Sequence, residues 1–256
     1  MLQIVEYYDR CAKEYAELTV NADMSQTRAR FLRYLPPGAA ILDEADGDTA
    51  GQNVAKNRVR ILDAGCGSGR DSLAFMQLGY DVTMLDASAG MCKCAEALTG
   101  QKALCMSFAE INFENQFDGI WACASLLHVP EKNLETVFVK FWHALKDNGI
   151  LYASWKYGEA ERQDGERFYC DMTEEKLKSV LARVKAKDCL PDANMCSETH
   201  DCESDANLFD CLECWVAEDA LPSGREQKWL NVVLRKRTME MTNNIPMTGF
   251  CKLLRY

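Results

Sequence analysis

Residues 59–73 read Val-Arg-Ile-Leu-Asp-Ala-Gly-Cys-Gly-Ser-Gly-Arg-Asp-Ser-Leu, and the rest of the chain is best understood outward from this stretch. An apolar run with β-branched residues ends at Asp63, and a segment with helical spacing of apolar residues then continues to Gly79. Three glycines occupy alternate positions between them: Gly65, Gly67 and Gly69. The pattern predicts a strand, a glycine turn and a helix. Because glycine permits a tight reversal and lets a ligand lie against bare backbone, we expect a nucleotide-binding turn.

The spacing argues against a dinucleotide such as NAD. The dinucleotide fingerprint requires glycine or alanine at its sixth position, but counting from Gly65 that position holds Arg70. A second short predicted strand, residues 81–85, ends in Asp86, at the distance from which an acidic side chain reaches ribose hydroxyls. These observations favour a ligand with a ribose and no pyrophosphate. A purely structural glycine turn is the alternative.

The motif Asp63-x-Gly-x-Gly-x-Gly, followed by Asp86, resembles the class I S-adenosylmethionine-dependent methyltransferases. The resemblance is strong over residues 59–156 and looser over 1–42 and 157–237. It implies S-adenosylmethionine as cofactor, with Asp86 binding the ribose and the glycines lying against its ribose and methionine parts. The cofactor-binding residues that it implies are Asp63, Gly65, Cys66, Gly67, Gly69, Asp86, Ala87, Met91, Ser107, Phe108, Ala109, Cys123 and Ala124.

Strand and helix patterns alternate along the chain, which predicts a doubly wound α/β fold with a mostly parallel sheet and helices on both faces. With the resemblance, we expect seven strands, an antiparallel C-terminal strand and an N-terminal helical lid. We predict one methyltransferase domain over residues 1–237, with the lid at 1–38 and a tail at 238–256. Two acidic or turn-rich stretches, 43–58 and 187–210, are predicted to be flexible insertions. Aromatic residues at helical spacing in the lid, among them Tyr8, are equally compatible with ligand contact and with core packing.

Composition narrows the class of protein. The chain has 256 residues and a formal net charge of −10, which argues against nucleic acid as a partner. It contains no apolar stretch of membrane-spanning length, and its first 20 residues mix charges, so we expect neither a membrane span nor a signal peptide. The 13 cysteines are scattered, several of them in predicted core elements, and we expect reduced thiols in a cytoplasmic protein. The sequence does not predict the oligomeric state.

The exit of the fourth predicted strand reads Ser-Leu-Leu-His-Val over residues 125–129. It has neither the Asn/Asp-Pro-Pro-aromatic tetrad of amino-group methyltransferases nor the Pro-Cys pair of cytosine-C5 enzymes. It resembles instead the small-molecule branch that includes quinone-biosynthesis and tellurite-resistance methyltransferases. His128 is the candidate catalytic residue, as a general base. The alternative, which we favour, is a histidine that caps a helix or closes over the cofactor without proton transfer.

Aromatic and basic residues after the fifth predicted strand suit an anionic or aromatic acceptor, although a solvated loop explains them equally well. The candidate substrate-binding residues are Tyr8, Trp155, Tyr157, Arg162 and Arg167. No metal is expected. Cys211 and Cys214 lie three apart on a predicted strand and so point to opposite faces, whereas Cys189, Cys196, Cys202 and His200 form a weak zinc candidate in the second insertion. The sequence therefore predicts in-line methyl transfer from S-adenosylmethionine to an unidentified small molecule. A non-catalytic regulatory protein that binds the same cofactor is the alternative.

Overall fold

The computed structural model describes residues 2–38, 58–184, 207–220 and 227–238. Three sequence predictions lie wholly or almost wholly outside these ranges: the insertion at 43–58, most of the insertion at 187–210 with its zinc candidate, and the tail at 238–256. Within the described ranges, none of the helices combines the length and the apolar character that a bilayer crossing requires.

A seven-stranded sheet forms the centre of the molecule. Its strands lie in the order β3-β2-β1-β4-β5-β9-β8, in which β9 alone runs antiparallel to its neighbours, between β5 and β8. The prediction of a mostly parallel, seven-stranded sheet with an antiparallel C-terminal strand is thus confirmed. The strands of this sheet are β1 (Arg60–Ala64), β2 (Asp81–Asp86), β3 (Ala103–Cys105), β4 (Phe117–Ala122), β5 (Leu145–Lys156), β8 (Phe209–Glu218) and β9 (Lys228–Lys236). A separate hairpin pairs β6 (Glu161–Asp164) with β7 (Arg167–Cys170).

Six described helices surround the sheet. They are α1 (Leu2–Thr19), α2 (Ser25–Leu32), α3 (Arg70–Gln77), α4 (Ala89–Thr99), α5 (Glu131–Ala144) and α6 (Glu174–Arg183). Ser88 and Thr173 are residue types that favour the N-cap position, and the sequence predicts a cap at each. Both are confirmed: Ser88 accepts a hydrogen bond from the backbone of Met91, and Thr173 accepts one from the backbone of Lys176. These caps fix where α4 and α6 begin.

Two apolar cores lie on opposite faces of the sheet. On one face the strands pack against α5 and α6, through side chains such as Phe138 and Leu177. On the other face they pack against α2 and α3, through Phe31 and Phe75. Successive strand residues divide between the two cores, as the two-residue period of a strand requires, because Ile61 belongs to the second core and Leu62 to the first.

A buried ion pair joins α2 to α3. Arg28 donates to Asp71 at 2.6 Å, and their side chains are 16% and 6% exposed. Asp71 also accepts hydrogen bonds from Arg70 and from the indole N–H of Trp121. The pair therefore ties the N-terminal helices to the start of the helix that follows the glycine turn.

We expect Arg28→Met to lower the free energy of unfolding by about 1–3 kcal/mol, because it removes one partner from a carboxylate that water reaches poorly. Arg33→Met is the matched control. Arg33 follows the same helix and pairs with Glu213, but its side chain is 64% exposed, so its loss should cost less than about 1 kcal/mol. Chemical denaturation of both variants measures the difference, and equal effects would contradict the importance of burial here.

The structure corrects three boundaries. Residues 161–170 form a hairpin, where the sequence was equally compatible with a solvated loop, because its polar residues (Glu161-Arg-Gln-Asp) give no apolar alternation. The Asn148-Gly149 pair is typical of a turn and predicts that the fifth strand starts at Ile150. Strand β5 starts at Leu145 instead, and the pair lies inside it beside a shift in register. The insertion predicted to end at Asp210 ends earlier, because Phe209 already pairs with Lys236.

Candidate functional site

A cavity of about 630 Å³ lies at the carboxyl ends of the central strands, beneath α1 and α2. Open α/β sheets place their ligands at this edge. All but one of the thirteen residues that the sequence predicts to bind the cofactor line this cavity, and Tyr8 and His128 line it as well. The exception is Gly69.

The three glycines of the turn serve three different purposes. A Cβ on Gly65 would lie 2.4 Å from the side chain of Ser125, so this glycine lets the turns after β1 and β4 meet. A Cβ on Gly69 would lie 2.9 Å from Ala95, so this glycine lets α4 pack against the start of α3. Gly67 has a φ of +54° and faces the cavity. Only Gly67 thus matches the expectation of a backbone left bare for a ligand.

Asp86 ends β2 and holds the glycine turn in place. One carboxylate oxygen accepts a hydrogen bond from the backbone of Gly67 at 2.9 Å, and the other accepts one from the backbone of Ser88 at 2.9 Å. Burial raises the pKa of Asp86, while these backbone donors oppose that rise. The carboxylate lines the cavity and retains lone pairs that can bind hydroxyl groups.

Asp63, at the end of β1, is only 3% exposed and accepts a hydrogen bond from the hydroxyl of Ser72 at 2.5 Å. Burial, together with the nearby negative charge of Asp71, raises the pKa of Asp63 to about 7. A cation brought into the cavity would favour its ionised form.

The cavity is strongly acidic. Its charged lining consists of Arg70 and six carboxylates: Asp23, Asp63, Asp71, Asp86, Glu218 and Asp219. Asp71 is paired with two arginines, Arg28 and Arg70, and Asp63 has a pKa of about 7, so the excess of negative charge comes from the other four carboxylates. A cavity with this excess of negative charge attracts cations and repels anions.

Tyr8 and His128 form a hydrogen-bonded pair at the wall of the cavity. Nδ1 of His128 lies 2.8 Å from the carbonyl oxygen of Phe168, which can only accept, so Nδ1 carries the proton. Nε2 is therefore the acceptor for the Tyr8 hydroxyl, 2.9 Å away. The pair links α1, the turn after β4 and the β6–β7 hairpin.

Burial lowers the pKa of His128 to about 4, so the ring is neutral at neutral pH. The unfolded chain then binds more protons than the folded one between pH 4 and 6.5, and the stability associated with this group is lost as the pH falls through that window. At pH 5 the loss should reach about 2 kcal/mol. We expect His128→Gln to remove this contribution to the pH dependence of the free energy of unfolding.

Denaturant unfolding at pH 7.5 and pH 5 measures the effect. His143→Gln is the control for loss of a histidine as such, because His143 lies on α5 beside Glu114. An equal loss of stability on acidification in the wild type and in His128→Gln would show that His128 does not titrate as a buried group.

Four of the five predicted substrate residues do not line the cavity. Trp155 is fully buried in the core formed with α5 and α6, because it points to the opposite face of β5 from Ser154. Arg162 is paired with Asp171, and Arg167 lies over the rings of Tyr7 and Tyr169. Tyr157 is 39% exposed and forms a bridge to Met172 outside the cavity. The two arginines thus give no support for an anionic acceptor in this cavity.

Several lining residues were not predicted. The chief ones are Tyr152 and Ser154 on β5, and Trp229 and Asn231 on β9. A signal was present in the sequence, since Ser154 is the single polar residue in the run 150–155 and Asn231 the single polar residue in the run 229–234. In a buried strand such a residue must find a hydrogen-bond partner, which singles it out.

Comparison with known proteins gives consistent results. Residues 62–153 match the family model described as a methyltransferase domain. An uncharacterized methyltransferase of Staphylococcus carnosus is 25% identical over 170 residues, which is 66% of this chain and 76% of that protein.

Two solved structures share the fold. A Burkholderia thailandensis 1,6-didemethyltoxoflavin-N1-methyltransferase, with 1,6-didemethyltoxoflavin and S-adenosylhomocysteine bound, superposes with a TM-score of 0.60 at 16% identity, covering 92% of this chain and 86% of that one. An S-adenosylmethionine-dependent methyltransferase of Methanosarcina mazei gives 0.55 at 19% identity, covering 76% and 100%.

The strand order and the two superposed structures show the class I methyltransferase fold, and the domain matched over residues 62–153, with the methyltransferase relative, supports an S-adenosylmethionine-dependent methyltransferase. Its cofactor is S-adenosylmethionine. The site fits that molecule, because the bare backbone at Gly67 faces the cavity and the excess of carboxylates matches a cationic sulfonium.

Proposed function

We propose that the protein methylates a small organic molecule that is uncharged or cationic. The cavity carries this proposal: it joins the predicted cofactor residues to a chamber beside β5 and β9, and α1 and α2 cover it. A covered chamber of this size accommodates small molecules. The Burkholderia thailandensis structure, which holds 1,6-didemethyltoxoflavin together with S-adenosylhomocysteine, supports a small-molecule acceptor.

The cofactor contacts are part of the proposal. Asp86 binds the ribose hydroxyls in charge-assisted hydrogen bonds, and the backbone at Gly67 lies against the ligand. Asp63 faces the positively charged end of the cofactor. Its pKa of about 7 means that a neighbouring cation favours its ionised form. Met91 and Phe108 enclose the adenine. The N-terminal lid, residues 1–38, belongs to the same domain as the sheet, and it covers the bound cofactor.

The bound cofactor supplies a sulfonium methyl group that is already activated for in-line displacement. The protein then needs chiefly to hold the acceptor in line, which lowers a barrier by about 7–11 kcal/mol. Tyr8 and His128 contribute by position. The basic nitrogen of His128, Nε2, is occupied by the Tyr8 hydroxyl, and burial lowers the pKa of His128 to about 4, so we assign His128 to holding Tyr8 at the cavity wall and not to proton transfer.

We place the enzyme in the cytosol. The nine cysteines of the described residues are all free thiols, the state that a reducing compartment maintains. The acidic cavity also disfavours nucleic acid and phosphorylated acceptors, because both are anions.

The test has two stages. Calorimetric titration with S-adenosylmethionine, S-adenosylhomocysteine and NAD should give micromolar binding of the first two and none of NAD. Methyl-labelled S-adenosylmethionine is then supplied with a metabolite extract that is divided by size. Label transferred to the low-molecular-weight fraction supports the proposal, whereas label found only in protein or nucleic acid overturns it. Binding without any transfer would favour a regulatory protein.

A further inference from the structure

Asn231 lies in the chamber on the floor formed by β5 and β9, where it pairs with Ser154 of the neighbouring strand. Its carboxamide has a fixed orientation. One end of the amide lies 3.0 Å from the backbone carbonyl oxygen of Trp229, which can only accept, so this end is the Nδ2 group. The other end is Oδ1, which accepts a hydrogen bond from the Tyr152 hydroxyl at 2.7 Å.

The hydrogen bonds around Tyr152 and Ser154 are compatible with this orientation. The backbone N–H of Ala124 donates to the hydroxyl oxygen of Ser154 at 2.9 Å, and the Ser154 hydroxyl donates to Sγ of Cys123 at 4.0 Å. Tyr152 donates its hydroxyl hydrogen to Oδ1 of Asn231, so the oxygen end of the carboxamide is occupied. Asn231 therefore presents its Nδ2 group, not its oxygen, to the cavity that it lines.

One N–H of Asn231 is left over. Nδ2 carries two hydrogens. One is donated to the backbone carbonyl oxygen of Trp229, and the other has no partner among the described residues. Asn231 is only 4% exposed, so water satisfies this hydrogen poorly, and a buried donor without a partner is costly. The residue lines the cavity, where a bound molecule can supply the acceptor atom.

We infer that Asn231 is a specificity-determining residue, which selects an uncharged acceptor by donating its free N–H to a carbonyl oxygen of that molecule. The inference rests on the proposed function, since it places the methyl acceptor in the chamber beside β5 and β9. The excess of carboxylates around the chamber excludes anionic versions of the same molecule. Sites that hydrogen-bond a polar group of the substrate discriminate strongly against analogues that lack it.

The test uses three probes of one shape: 4-quinolone, quinoline, which lacks the carbonyl, and the 2-carboxylate of 4-quinolone, which adds a negative charge. Each probe is titrated into the full-length protein saturated with S-adenosylhomocysteine, and binding is followed by ligand-observed NMR. We expect 4-quinolone to bind at least tenfold more tightly than quinoline, and the carboxylate not to bind. Equal affinities for 4-quinolone and quinoline, or no binding of 4-quinolone, would overturn the inference.

Asn231→Leu should abolish the preference for 4-quinolone while leaving the affinity for S-adenosylhomocysteine within threefold of the wild type. Asn231→Asp is the second variant, because it keeps an oxygen for Tyr152 but lacks the N–H, and it should lose the preference too. Asn133→Leu, at another carboxamide on the cavity wall, is the control and should retain it. A preference that survives in both Asn231 variants overturns the inference alone, whereas failure of the wild type to bind S-adenosylhomocysteine overturns the proposed function.

Discussion

Replacing Gly67 with valine is expected to weaken S-adenosylmethionine binding more than a hundredfold, which corresponds to about 2.7 kcal/mol or more. A Cβ at this position meets a single protein atom within 4 Å, the methyl carbon of Met91 at 3.7 Å, so the added side chain extends into the cavity. It occupies the place where we propose that the ligand lies against bare backbone. Calorimetric titration with S-adenosylmethionine measures the loss.

The control must separate occupation of the cavity from backbone strain. The φ of +54° at Gly67 costs a residue with a side chain about 1–2 kcal/mol, which lowers stability without acting on the ligand. Gly100→Val imposes the same kind of strain, at a φ of +75° beyond the end of α4, where nothing lies within 4 Å. It should lower the melting temperature similarly and leave the affinity unchanged. Comparable affinities of the two variants would mean that Gly67 does not face the ligand.

The fold was predictable because its signals are local. The apolar run before Asp63, the alternate glycines and the aspartate that ends the next strand occupy one continuous segment, residues 59–86. The helix caps at Ser88 and Thr173 depend only on the residues that follow them. Such patterns hold whatever the rest of the chain does. The same locality explains why twelve of the thirteen predicted cofactor residues line one cavity.

The acceptor side was not predictable in the same way, because its residues meet only through the strand order. Ser154 and Asn231 are 77 positions apart, and they become neighbours because β9 enters the sheet beside β5. Tyr8 and His128 are 120 positions apart and meet because α1 lies over the edge of the sheet. Local sequence patterns cannot predict that either pair of residues comes into contact. They pointed instead to Trp155 and Arg162, whose residue types suit an acceptor but whose side chains point elsewhere.

The sequence argues against a dinucleotide such as NAD because Arg70 stands at the sixth position of the fingerprint. This reason is incomplete, since Gly69 takes over the close packing that the fingerprint requires. Arg70 occupies the place of the glycine or alanine that lets a helix pack closely in dinucleotide-binding turns. In this protein close packing occurs one residue earlier, where Gly69 meets Ala95, and Arg70 is free to pair with Asp71 and to donate to the carbonyl of Thr19. The turn is therefore arranged around an arginine that ties the N-terminal helices to the site.

The second large effect is expected at Asp86. Asp86→Ala should weaken S-adenosylmethionine binding roughly a hundredfold, for two reasons that act together. It removes the proposed charge-assisted hydrogen bonds to the ribose, and it leaves the backbone N–H groups of Gly67 and Ser88 without the acceptor that orders the turn. Calorimetry measures the affinity, and a melting curve shows whether the fold persists.

Two further variants separate these causes. Asp86→Asn keeps one oxygen to accept from the turn but loses the charge, so it should weaken binding only about tenfold, since hydrogen bonds to neutral groups are about half as strong. Asp9→Ala removes a carboxylate that accepts hydrogen bonds from Ser88 and Gly90 at the start of α4, the helix that follows Asp86. Asp9 does not line the cavity, so this variant should weaken S-adenosylmethionine binding less than fivefold. Equal losses of affinity in Asp86→Ala and Asp9→Ala would mean that binding depends on an ordered start of α4 and that the ribose binds elsewhere. A large loss confined to the Asp86 variants, with Asn between Ala and the wild type, assigns the ribose to this carboxylate.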